Sequence, residues 1–305
     1  MNFVIAHADK RPLRMVITQR CNARCRCCHH EGFLSPAADL DADQLRREVT
    51  QGFFGQFARV AITGGEPTLH SRIYDIVEHV ASSTAVPIAI NTNGLVESRR
   101  FAKLLRLRIA EVHISIHSLL PEVNARVFGV PYDANSVVDN VGTVIENGVG
   151  LCINRMVLAG VNSEPMEVVD FAERWGGEIA ARVQLFPDLY ETDTAKDHIF
   201  ASILAEAHRR GYRCRHWGRH RVFQHTTRAS FTWTSSCTPE AMNPPDFAAA
   251  AVFMTPRLTL KRMLSPEEWP WRPDFNNALP TLLGPSGPAT ASLEARRRAT
   301  VETGL

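Results

Sequence analysis

Lysine is nearly absent from this 305-residue chain, with four residues against thirty arginines. Two explanations stand: a GC-rich genome, or arginines kept because their planar fork grips carboxylate or phosphate through two bonds. The formal net charge is only +2, which argues against a broad basic face for nucleic acid or a membrane surface. No apolar run approaches the ~18 residues of a membrane span. The opening MNFVIAHADKRPLRMVITQRCN lacks the apolar centre of a signal peptide, so the expected location is cytoplasmic. Repeats and low-complexity tracts are missing too. With 45% hydrophobic residues, the length suits one α/β domain of about 200–250 residues plus an appendage. The seven cysteines are odd in number, and four crowd into positions 21, 25, 27 and 28. That pattern suits metal ligation in a reducing compartment better than a disulfide framework.

From residue 12 to about 210, β-branched runs alternate with helical stretches. Candidate strands are Leu13–Thr18, Arg59–Thr63, Pro87–Asn91, Val112–His117, Leu151–Leu158 and Arg182–Phe186. The 41–53 segment places Leu45, Val49 and Phe53 on one helical face behind an Asp41/Gln44 capping box. Further helices are expected near 70–82, 97–107, 134–147 and 165–175. Alternation of this kind predicts a parallel sheet with right-handed crossovers, here a partial (β/α)6 barrel. After about 211 the alternation stops, and the proline-rich remainder reads as an irregular C-terminal subdomain across the sheet mouth. The expected division is therefore 1–210 and 211–305, the last twenty residues forming a solvated helix or tail.

Three strands carry polar residues at period two: His113, Ser115 and His117; Asn91 and Asn93; and Gln184 between Val183 and Leu185. A parallel strand covered on both faces should be apolar on both. Polar groups gathered toward strand C-terminal ends point instead to a wet interior, where such sheets place ligands. The alternative is buried polar groups that satisfy one another within a core.

The segment Thr18-Gln-Arg-Cys21-Asn-Ala-Arg-Cys25-Arg-Cys27-Cys28 follows the first strand. Three thiolates at this x3 and x2 spacing can converge on three irons of a cubane and leave the fourth iron open. Zinc is the alternative, since Cys25-x2-Cys28 is a half-site that His29 or His30 could extend. Its second half is missing, because Cys152, Cys214 and Cys237 stand alone in sequence. Cys27 is read as a non-ligand beside the cluster.

The chain resembles the radical S-adenosylmethionine (SAM) superfamily over about residues 10–210. Cys21-x3-Cys25-x2-Cys28 matches its cluster loop, Gly64-Gly65-Glu66-Pro67 its GGEP motif and Thr92-Asn93-Gly94 its TNG segment. The strand Val112–Ser118, with HISIHS at its end, and the run INRMVLAGVN from Ile153 to Asn162 resemble the fourth and fifth strands. Within the superfamily the nearest branch is the molybdenum-cofactor GTP cyclase, to which LRMVITQRCN and ARVQLFPDLY are similar. That branch holds a second cluster on three C-terminal cysteines. This chain offers only Cys237, with Cys214 far upstream, so the second cluster is expected to be absent.

The resemblance implies a [4Fe-4S] cluster on Cys21, Cys25 and Cys28, and SAM as second cofactor. It assigns SAM to Gly64, Gly65, Glu66, Pro67, Thr92, Asn93, Ser115, Asn154 and Arg155. Substrate contacts are expected from Arg14, His113, His117, Arg182 and Gln184. The two histidines are candidate proton donors or acceptors, or plain cavity walls. The implied activity is reductive cleavage of SAM, giving a 5'-deoxyadenosyl radical that abstracts hydrogen from a small anionic nucleotide, nucleoside or sugar-like substrate, as a lyase or oxidoreductase of a specialised biosynthetic pathway. The implied partner is a one-electron donor of flavodoxin or ferredoxin type. Two alternatives are modification of a peptide or protein, and a non-catalytic iron–sulfur or zinc protein.

Overall fold

The structure is a computed structural model that describes residues 12–25, 27–28, 38–162, 164, 166–174, 182–187, 192–217, 220–234, 252–262 and 268–270. Six parallel strands run in chain order: β1 Pro12–Val16, β2 Arg59–Thr63, β3 Ile88–Thr92, β4 Glu111–Ser115, β5 Gly150–Val157 and β6 Arg182–Pro187. Helices connect them: α1 Ala42–Glu48, α2 Gln51–Phe54, α3 Ile73–Ser83, α4 Ser98–Leu105, α5 Pro121–Phe128, α6 Ala134–Glu146 and α7 Met166–Arg174. This is the expected partial (β/α)6 barrel. After β6 come helix α8 Asp193–Arg209 and the strands β7 Arg213–Trp217, β8 His220–Gln224, β9 Ser230–Thr234, β10 Val252–Met254, β11 Thr259–Arg262 and β12 Glu268–Pro270. These extend the same sheet at both edges, in the order β12-β11-β10-β1-β2-β3-β4-β5-β6-β9-β8-β7. The part of 211–305 that is described is thus largely strand. The final residues lie outside the described ones.

The two faces of the barrel strands differ because side chains alternate. One face carries Leu13, Met15, Val60, Ile62, Ile90, Val112, Ile114, Leu151, Ile153, Val183 and Leu185, all fully buried in one core with helix residues such as Leu45, Phe53, Val80, Phe101 and Val141. Each such side chain contributes about 1.5–3 kcal/mol by leaving water, an upper range because the unfolded chain already buries some of it. The other face holds Arg14, Ala61, Ala89, Asn91, Glu111, His113, Ser115, Cys152 and Asn154, which strand register lines up in rows. Of the polar residues marked by their period of two, Asn91, His113 and Ser115 therefore do share the inner face. Small residues, Ala61, Ala89 and Gly150, make up much of its lower row.

Local signals set the helix ends. Asp41 accepts from the backbone N–H groups of Asp43 and Gln44, Glu97 caps α4 and Asp133 caps α6 in the same way. The expected capping box is only half formed, because the Gln44 amide donates to Glu48 instead, at 2.9 Å. The helix expected over 41–53 breaks into α1 and α2 after Val49, whose backbone is extended. Among the described residues no helix is long and apolar enough to cross a membrane.

Candidate active site

The C-terminal ends of β1, β2 and β3 deliver the cysteine loop, the GGEP segment and the TNG segment to one end of the barrel. Main-chain bonds knit them together. The Gly65 N–H donates to the Thr18 carbonyl at 2.8 Å, the Glu66 N–H to the Arg20 carbonyl at 2.7 Å, and the Arg24 N–H to the Phe128 carbonyl at 2.7 Å. A Cβ on Gly64 would fall 2.5 Å from the Thr18 oxygen, and one on Gly129, at φ +65°, would fall 2.5 Å from the Arg24 oxygen. Real side chains do not tolerate such contacts. The glycines of the GGEP motif thus admit the cysteine loop itself.

Cys21, Cys25 and Cys28 are half-buried on this loop, while Cys27 is buried among Val127 and Leu158. Burial pushes the Cys25 thiol up to about 12, and the neighbouring Cys27, Cys28 and Cys21 add to the shift. Burial also raises Cys21, with Glu66 and Cys28 as further causes. Thiols crowded in this way resist ionising together unless a cation compensates them. Iron does so, since a coordinated thiol gives up its proton outright. The donor set therefore fits an iron–sulfur cluster; Cys27 differs from the other three in being buried, although Cys25 packs against the same apolar group. Among the described residues no group of three or more His, Cys, Asp or Glu is arranged to hold a single metal ion. His29 and His30 lie outside the described residues.

Glu66 is fully buried and ties two motifs together. Its Oε1 accepts from the Thr68 N–H at 3.1 Å, the Thr68 hydroxyl at 2.7 Å and the Thr92 hydroxyl at 2.8 Å, and its Oε2 accepts from the Asn93 N–H at 2.7 Å. Burial raises this carboxyl against those four donors. Pro67 opens the following 3-10 turn. The Asn93 amide donates to Asn22 Oδ1 at 2.7 Å, and Asn22 in turn donates to the Leu95 carbonyl, which ties TNG to the cysteine loop.

Ser115 and Asn154 are paired across β4 and β5 and face the interior, both half-buried. Gln184 and Arg182 continue the rows on β6, in register with Asn154 and Cys152, but their side chains lie outside the described set. Arg14 faces inward, its guanidinium 5.7 Å from the Phe253 ring. His113 does too, with Nε2 2.8 Å from Glu111 Oε2.

Two expected residues stand elsewhere. Arg155 follows the inward Asn154 and so points outward, fully buried, where it pairs with Glu167 at 2.8 Å and donates to the Asn162 and Glu164 carbonyls. That geometry removes it from the SAM set. His117 is buried against Phe128, and its Nδ1 accepts the Met156 N–H at 3.1 Å. Burial lowers its pKa to about 3, with Arg155 a second cause, so it remains neutral near pH 7 and is no proton donor there. Asn91, already marked by its period of two, and Glu111, two residues before His113, share the inner face.

A family model, the radical SAM superfamily, matches residues 15–172. Among curated proteins, the probable GTP 3',8-cyclase of Thermococcus kodakarensis is 31% identical over 167 residues, covering 54% of this chain and 53% of that protein. The GTP 3',8-cyclase of Heliobacterium modesticaldum is 34% identical over 170 residues, 52% of this chain and 50% of that one. This chain spans about half the length of these relatives. Among solved structures, Streptococcus suis SuiB bound to S-adenosylmethionine superposes with a TM-score of 0.67 at 13% identity, covering 94% of this chain and 68% of that one, a likeness of fold alone. The cysteine loop, its glycine cradle and the half-chain match lead to one conclusion: this chain belongs to the radical SAM superfamily.

Proposed function

We propose that this protein is a radical SAM enzyme acting on a small, anionic nucleotide-, nucleoside- or sugar-like molecule. Residues 1–210 would form its catalytic core and 211–305 the part covering the substrate. The observation that carries the reading is the loop on which Cys21, Cys25 and Cys28 are half-buried while Cys27 is buried against Val127 and Leu158. Members of the family use a [4Fe-4S] cluster and SAM, and their reductive reaction supplies a 5'-deoxyadenosyl radical that takes hydrogen from a substrate carbon.

The chain's own residues bind and orient. Cys21, Cys25 and Cys28 would hold the cluster. The backbone of Gly64 and Gly65 fixes the loop, Glu66 locks Thr92 and Asn93 in place, and Ser115 with Asn154 would take the polar parts of SAM. Arg14 on the inner face, with Arg182 on β6, would bind the anionic group, since guanidinium matches carboxylate and phosphate. The cyclase names of the curated relatives favour a nucleotide over a peptide. A flavodoxin- or ferredoxin-type protein would supply the electron.

Anaerobic reconstitution followed by dithionite and SAM tests the reading. It predicts methionine and 5'-deoxyadenosine in equal amounts, with four irons per chain as the cluster formula requires. Failure to form 5'-deoxyadenosine contradicts it.

A further inference from the structure

One row beneath Ser115 and Asn154, about 7 Å toward the strand N-termini, the inner face presents Asn91, His113 and Cys152 in register. His113 is 5% exposed, and its Nε2 lies 2.8 Å from Oε2 of Glu111, two residues earlier on the same strand and face. The same Oε2 faces Arg59 of β2, at 3.7 Å. Opposite Glu111 stands Gly150, where a Cβ would come 3.6 Å from the Glu111 Cγ. Beside His113, the Asn91 Oδ1 is buried with no hydrogen-bond partner among the described residues, a state that is unfavourable unless a donor arrives.

We propose that Glu111 is a positioning residue that fixes His113 as its Nε2–H form, making the pair the proton-transfer group of the substrate cavity. The inference rests on the radical SAM reading above and extends it to the substrate. The molecule would carry a hydroxyl or amine whose proton passes to the His113 Nδ1 during the reaction, with a donor group within reach of Asn91. A carboxylate only accepts, so the imidazole nitrogen facing it carries the hydrogen, and Nδ1 becomes the accepting atom of the neutral ring. A carboxylate that orients an imidazole is a recurrent way to hold one tautomer for proton transfer. The charged or titratable groups on the strands around His113 are Glu111 on β4, Arg59 on β2, Arg14 on β1, Cys152 on β5 and, next in register, Arg182 on β6.

The test uses the full reconstituted protein with SAM and 15N-labelled histidine. NMR of the wild type should show His113 as the Nε2–H tautomer at neutral pH. Glu111→Gln should lower its pKa by about one unit, the loss of an adjacent opposite charge. With GTP as the probe substrate, Glu111→Gln should reduce kcat by about a hundredfold, the usual worth of general acid–base catalysis, with KM within threefold. Glu111→Asp should recover part of that loss. An Nδ1–H tautomer in the wild type, a His113 titration indifferent to Glu111→Gln, or GTP turnover indifferent to it overturns the proposal. The NMR result decides the pairing whatever GTP does. A wild type that makes no 5'-deoxyadenosine contradicts the enzyme reading instead.

Discussion

Gly65 approaches Arg20 so closely that a Cβ on it would lie 2.4 Å from the Arg20 carbonyl oxygen. The contact belongs to main chain on both sides, so no rotamer change relieves it. The GGEP and cysteine segments are built as one unit, and changes in either should be felt at the cluster.

Gly65→Ala should therefore lower iron loading before it lowers helix content. Overpacking of this kind costs about 1–3 kcal/mol, and the loop is the piece that can yield. Iron per chain and circular dichroism of the reconstituted variant measure the two effects. Normal iron with a shifted melting temperature would contradict the assignment.

Cysteine by cysteine, replacement of Cys21, Cys25 or Cys28 with Ala should abolish the cluster absorbance and SAM cleavage. Cys27→Ala should keep both, because its buried side chain packs on Val127 and Leu158. Its cost should be stability alone, about 1 kcal/mol for a small buried group. Loss of the cluster in Cys27→Ala with retention in Cys28→Ala would reverse the ligand assignment.

Glu167→Gln separates the two possible roles of Arg155. Removing the partner of a buried guanidinium costs about 3–5 kcal/mol when both groups are desolvated. The Glu167 side chain is 27% exposed, so the expected loss is smaller, about 2 kcal/mol. SAM affinity, read by equilibrium dialysis, should remain within twofold. A tenfold weakening would return Arg155 to the SAM site.

His117 makes the fold sensitive to acid. Its pKa falls from 6.5 to about 3 on folding, so the unfolded chain binds the extra proton between those values. Its stability contribution is complete above pH 6.5 and declines as pH falls toward 3, by about 1.4 kcal/mol per pH unit. His117→Asn, whose amide oxygen can still accept the Met156 N–H, should flatten that part of the curve by about one proton. Urea titrations at several pH values measure it.

The strands were legible because β-branched runs and polar residues at period two are strong signals. The same rule should have placed Arg155: with Asn154 inward, its neighbour faces out. Helix α5 lacked a clear apolar stripe, yet Pro121 at its first turn and Gly129 at its left-handed end mark it. Helix α8 buries little beyond Ile203 and Ala207 among its described side chains, so periodicity had little to report. The strands after 211 pair with β1 and β6 from far along the chain, and no local pattern encodes such partners. The glycine contacts of the cysteine loop are likewise tertiary. Sequence shows that a close approach is needed, and only the fold shows to what.

The most direct test of the account is electron–nuclear double resonance on the reduced, reconstituted protein with SAM carrying 15N in its amino group. Coupling between that nitrogen and the cluster is predicted in the wild type and in Cys27→Ala. A cluster that forms on Cys21, Cys25 and Cys28 yet shows no coupling to SAM, with a histidine or other side chain bound at the fourth iron, would contradict it.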